Sequence, residues 1–180
     1  MKNLQRKSII ASLLCLIMLF CIVIPTSAYV LMGVKWSSSN ITYYYDSYNS
    51  SRFKTFIDIG ASAWNITDAT YSKSASYNIY CSEVDNSTVT WDGYTSGTAS
   101  GGYFIGLTIL INKFYTNTWN SDGALQSVVL HELGHGLGLA GNGFTQTIMN
   151  ENTWGTYSRY GTYGLSTLQT DDINGANAIY

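Results

Sequence analysis

Between Ser121 and Gly138 the chain carries a segment that leaves few choices of fold. Ala124, Leu125, Val128, Val129, Leu130, Leu133 and Leu137 recur at helical spacing, but on most sides of the helix rather than in one stripe. A helix that is apolar nearly all round belongs inside a domain, with other elements packed on it. Ser121 or Asp122 serves as an N-cap, and the spacing predicts helix from about Asp122 to Leu139. His131, Glu132 and His135 stand within it. Two imidazoles and a carboxylate in apolar surroundings are costly unless a metal or other partner satisfies them.

Residues at i and i+4 are neighbours on a helix, so His131 and His135 project from one face. Two imidazoles at this spacing grip one zinc ion without distorting the helix. Glu132 lies about 100° further round. It faces the same cleft without being a ligand and is placed to take a proton from water. HExxH alone carries modest weight, because five residues can match by chance. The burial of the helix argues against chance. Gly138, three residues after His135, suits a left-handed helix end that turns the chain back. The residue three further on is Gly141, which has no side chain to coordinate, and the chain has 2 histidines in all. Asn142 beside it offers an amide oxygen as a possible substitute ligand, and a water is the other choice. An amide is a weaker ligand than imidazole for zinc.

Residues 1–28 read as a secretory signal peptide: Lys2, Arg6 and Lys7, an apolar run from Ile9 to Ile24, then small residues before Tyr29. That run is short for a spanning helix. Residues 29–180 then form one domain. Three of the 9 basic residues lie in the leader against 11 acidic residues outside it, so the domain is acidic. Nucleic acid and anionic membranes are not its partners. Cys81 is the one cysteine outside the leader, so no internal disulfide is available. It reads either as a small buried hydrophobe in a strand or as an inhibitory thiolate. Asn40, Asn49, Asn65 and Asn86 open glycosylation sequons.

The element order is strand at Asn40–Asp46, helix at Ser51–Ile66, and strands at Ser76–Val84 and Ser87–Tyr94. A Gly/Ser-rich loop follows at Thr95–Gly106, then a strand at Leu107–Asn112 and a polar connection at Tyr115–Ser121. The long helix and a last helix at Ile173–Tyr180 complete the chain. That order is α+β.

Several motifs in order resemble the matrixin branch of the metzincins, the catalytic domain of matrix metalloproteinases and their small bacterial relatives. Lys35-Trp36 with Ile41-Thr42-Tyr43 resembles the entry strand, and Ala61-Ser62-Ala63-Trp64 the end of the first helix. Gln126 to Leu130 leads into HExxHxxG as in that family. Thr147-Ile148-Met149-Asn150 resembles the Met-turn beneath the metal, and Asp171 to Tyr180 the terminal helix. The resemblance implies a metzincin fold: a twisted, mostly parallel sheet on two long helices, with a short C-terminal helix. It implies zinc on His131 and His135, Glu132 as general base, and Met149 as the floor. It implies that Ser87–Tyr94 is the edge strand that pairs with an extended peptide or protein substrate. Gly141 departs from the pattern, whose third ligand is histidine. Only a few residues separate Tyr29 from Lys35, which leaves no propeptide with a cysteine switch. The histidines and acidic loops of the animal enzymes' structural zinc and calcium sites are missing as well.

Two functions fit. One is a secreted, monomeric zinc metalloendopeptidase, with no membrane contact once the leader is cleaved. The other is an impaired pseudopeptidase that acts as an extracellular peptide-binding module.

Overall fold

The computed structural model describes residues 29–143 and 145–180, so the predicted signal peptide lies outside the described residues. The elements run β1 (Val30–Leu31), β2 (Asn40–Tyr44), α1 (Ser51–Trp64), β3 (Thr70–Lys73), β4 (Ile79–Val84), β5 (Gly93–Ser100) and β6 (Tyr103–Asn112). They continue with α2 (Thr116–Trp119), α3 (Asp122–Leu137), β7 (Leu139–Ala140) and α4 (Thr170–Asn177). Among the described residues no helix is long and apolar enough to cross a membrane.

The main sheet has five strands in the order β3-β2-β4-β6-β5. β3, β2, β4 and β6 pair in parallel, and β5 closes the edge antiparallel to β6. β1 and β7 form a separate antiparallel pair. This is the mostly parallel α+β architecture expected. Inward residues of the sheet, including Ile41, Tyr43, Ile79, Cys81, Ile109 and Ile111, pack on Phe53, Ile57 and Trp64 of α1 and on α3. The phenols of Tyr43 and Tyr45 both donate to Asp58 of α1, each at 2.8 Å, and so fasten the helix to the sheet.

The strand expected at Ser76–Val84 begins only at Ile79 and that expected at Asn40–Asp46 ends at Tyr44, and two further regions differ more. Ser87–Tyr94 is mostly turn, and the strand begins at Gly93. The side chain of Asn112 holds this turn by accepting from the Asn86 N–H and donating to the Asn86 carbonyl. Thr95–Gly106, expected as a loop, is instead most of a hairpin. Gly101 and Gly102, with φ of 59° and 83°, supply its two-residue turn, as two-residue hairpin turns require. β5 is Gly-, Ser- and Thr-rich and largely exposed, so it carries no apolar alternation to reveal it. Its pairing with the long strand β6 decides its conformation. The short strands β1, β3 and β7 and the single-turn helix α2 were not anticipated, and α4 begins and ends about three residues earlier than predicted. The sequon at Asn49 is buried, with its side-chain oxygen accepting from the Glu83 N–H.

Helix α3 runs through the middle. Ser121 caps its start, its hydroxyl accepting from the Ala124 N–H. The last four carbonyls of a helix have no partner within it. Here the Gly138 N–H serves Gly134 and His135, the Trp36 indole serves Gly136 at 2.8 Å, and the Tyr180 hydroxyl serves Leu137 at 3.0 Å. Gly138 is left-handed, at φ 108°, and a Cβ there would stand 2.4 Å from the Val34 carbonyl oxygen. Only glycine ends the helix this way, and the chain then turns under the site.

Candidate metal centre

His131 and His135 face each other across one helical turn, with ring centroids 4.5 Å apart. The Nδ1 of His131 lies 2.9 Å from the Ile148 carbonyl oxygen, and that of His135 lies 2.8 Å from the Leu139 carbonyl oxygen. A carbonyl only accepts, so each Nδ1 carries the proton, a tautomer assigned from these partners. Each Nε2 then presents a bare lone pair, and the two nitrogens stand 3.0 Å apart. No proton lies between them to make that approach favourable. A cation bound to both nitrogens makes it so, and zinc–imidazole bonds of about 2.0–2.1 Å in tetrahedral geometry suit a separation of this size. Burial, with the Arg159 charge nearby, pushes both imidazoles below their ordinary pKa. They are therefore neutral, which is the form that ligates metals. The donor set present fits a zinc ion at two of its four positions.

Glu132 is 4% exposed, and its Oε2 accepts from the Thr95 hydroxyl at 2.7 Å. Burial pushes its pKa up to about 7, against the opposing pull of the Thr95 hydrogen bond and the Arg159 charge. A base poised near neutrality is suited to general acid–base work. Gly93 makes the room. A Cβ at that position would stand 2.6 Å from the Glu132 Oε1. The edge strand β5 therefore touches the site at two residues, Gly93 and Thr95.

Met149, expected as the floor, is 1% exposed. Its sulfur would lie 2.3 Å from a Cβ on Gly134, so the glycine inside HExxH is fitted to this methionine. The turn is held from below by Asp172, whose carboxylate accepts from the N–H groups of Ile148 and Met149 at 3.0 and 3.1 Å. The same carboxylate accepts from the Gln169 N–H at the start of α4. Asp172 thus ties the terminal helix to the Met-turn.

Asn142 is 5% exposed. Its amide oxygen accepts from the hydroxyls of Thr145 and Thr147 at 2.5 and 3.0 Å, so both lone pairs serve the loop. Among the described residues, no three or more His, Cys, Asp or Glu side chains gather around one point.

The residues His131, Glu132 and His135 open onto a cleft of about 520 Å³, walled also by Tyr94, Thr95, Tyr115, Glu151, Trp154 and Arg159. Sequence patterns did not pick out Gly93, Thr95, Glu151 or Arg159. Arg159 is 1% exposed; it donates to the Asn150 carbonyl at 2.8 Å and to the Thr153 hydroxyl at 2.6 Å, while its Nε has no partner among the described residues. Burial lowers its pKa, and the charges of Asp92 and Glu132 oppose that.

A parallel sheet over a buried HExxH helix, with a Met-turn beneath, defines a metzincin fold. The chain belongs to the matrixin family, whose profile matches residues 58–180. Matrixins are zinc-dependent metallopeptidases, which accords with the donor set on α3. Among solved structures the chain is similar to one titled "GM1 bound form of the ECX AB5 holotoxin", at 14% identity and a TM-score of 0.58. That likeness covers 79% of this chain and 80% of the other, and it is a likeness of fold alone. No curated protein matches the chain.

Proposed function

We propose that this chain is an exported zinc endopeptidase. The observation that carries the reading is the pair of Nε2 atoms 3.0 Å apart, left bare by the assigned tautomers, in residues that line the cleft with Glu132. His131 and His135 would hold the ion. Bound there, zinc would acidify a water and polarise the scissile carbonyl. Glu132 takes the proton of the attacking water and delivers it to the departing amine nitrogen. Thr95 holds the carboxylate in place through Oε2, leaving Oε1 for the proton. An extended substrate adds as a further strand along β5, the edge strand beside the cleft. The buried setting of Glu132 keeps its carboxyl near the protonation balance such a shuttle needs.

A second reading rests on Gly141. With two imidazoles where the family has three, the chain would be a peptide-binding module with little turnover. Zinc stoichiometry of the purified protein, measured beside hydrolysis of a casein-type substrate, separates the two. One zinc per chain with hydrolysis supports the peptidase. Hydrolysis absent, with peptide still bound, supports the module. Export over residues 1–28 is tested by the N-terminus of protein collected from the medium, which should be Tyr29.

A further inference from the structure

We infer that Glu151 is the third protein ligand of the metal, replacing the histidine that Gly141 lacks. This rests on the zinc site proposed above. A Cβ built on Gly141 would meet the Glu151 side chain and nothing nearer: Cγ at 2.7 Å, Oε1 at 2.9 Å and Cδ at 3.3 Å. Glu151 therefore fills the volume that a side chain at position 141 would otherwise occupy. It walls the same cleft as His131, Glu132 and His135.

The backbone around Glu151 is anchored on both sides. Asn142 bridges Asn150 in parallel, with the Asn142 N–H donating to the Met149 carbonyl at 2.8 Å. Arg159 holds the Asn150 carbonyl, and the Asn150 side chain donates to the carbonyls of Thr145 and Tyr157. The side chain itself is exposed to the cleft, and among the described residues its carboxylate is in neither ion pair. Glu151 does not stand gathered with His131 and His135 as a three-ligand set; its side chain must turn toward the imidazoles, and among the described residues no hydrogen bond opposes that turn. The alternative donor beside Gly141 is spent, because the Asn142 oxygen already accepts two hydroxyl protons.

The chemistry suits the position. Zinc takes carboxylate oxygens at about 2.0–2.2 Å, and two imidazoles with one carboxylate leave a fourth place for water. An anion there also neutralises part of the ion's charge, which two neutral imidazoles do not. The glycine and the glutamate are thus one feature. A side chain at 141 would crowd Glu151 out, and its absence admits it.

The test is zinc affinity of the purified protein, measured by competition with a chromophoric chelator. Loss of even an outer-sphere partner commonly weakens metal binding about 10–100-fold, so Glu151→Gln, which keeps the shape and removes the charge, should weaken it at least that much. Glu151→His restores a ligand from the same position and should bind zinc within about tenfold of the parent, by the same scale. Metal-free Tm should be the same in all three, since the side chain is exposed. Parent-like affinity in Glu151→Gln overturns the inference. His131→Ala tells the two levels apart. If it loses zinc while Glu151→Gln does not, only the ligand assignment fails. If the parent binds no zinc, or His131→Ala binds it as well as the parent does, the zinc site fails and this inference with it.

Discussion

At the scale of single residues, the proposed mechanism separates holding a metal from moving a proton. Glu132 faces the cleft but bonds to Thr95 rather than to either histidine. Glu132→Gln should leave zinc content unchanged and lower any peptidase turnover by about 10²–10⁴-fold, the usual worth of a positioned base. Unchanged turnover would remove Glu132 from the mechanism. Position 141 offers a second prediction. Gly141 has no left-handed φ, and the atoms a Cβ would meet are those of an exposed, flexible side chain. Gly141→His should therefore fold, displace Glu151 and supply an imidazole. Zinc affinity should then become insensitive to Glu151→Gln, so that the two changes are non-additive, as residues sharing one partner are. Strict additivity would mean that they serve different places. His131, Glu132, His135 and Met149 were legible as candidates in the sequence, because local spacing places three of them on one helix and the resemblance singles out the fourth. The place of Glu151 was not, because it depends on a loop passing beside Gly141, and no local pattern encodes that approach.

At the scale of elements, α3 and the Met-turn are fitted through Gly134. A Cβ there would lie 2.3 Å from the Met149 sulfur and 3.1 Å from Trp64 Cζ2. Alanine raises helix propensity by about 1 kcal/mol over glycine, while overpacking a filled core costs about 1–3 kcal/mol. The packing cost should win, because Met149 is buried against the turn that Asp172 pins. Gly134→Ala should lower stability to urea and weaken zinc binding together. A stabilised variant with parent-like zinc affinity would show that the floor yields freely. The legibility of the elements follows the same division. α1 was readable from apolar spacing alone, and α3 from apolar residues together with a serine cap. β5 was not, because its conformation comes from pairing with β6 rather than from its own residues. The Gly101-Gly102 turn was its one local signal, and the surrounding glycine and serine disguised it as loop.

At the scale of the whole molecule, the fold should stand without its metal. The buried core joins the sheet to α1 and α3 through Ile41, Trp64, Ile79, Ile109 and Leu133, none of which depends on an ion. Both imidazoles are held by backbone carbonyls through Nδ1, contacts that involve no ion. Cys81 reports on this core. It is fully buried on β4, it is not a wall of the cleft, and burial raises its thiol pKa, so it behaves as a small core hydrophobe and not as a thiolate on the metal. Thiol reagents should leave it unmodified in the native protein. Chelation should lower Tm by linkage alone. A ligand at 100 times its Kd contributes about 2.7 kcal/mol, and a domain of this size shifts by about 2–4 °C per kcal/mol. The expected fall is therefore on the order of 5–10 °C, with Cys81 still protected at room temperature. Rapid labelling of Cys81 on chelation would mean instead that the metal holds the two halves of the domain together. The sheet and α1 would then not be a self-sufficient core, and ion and fold would be lost in one step.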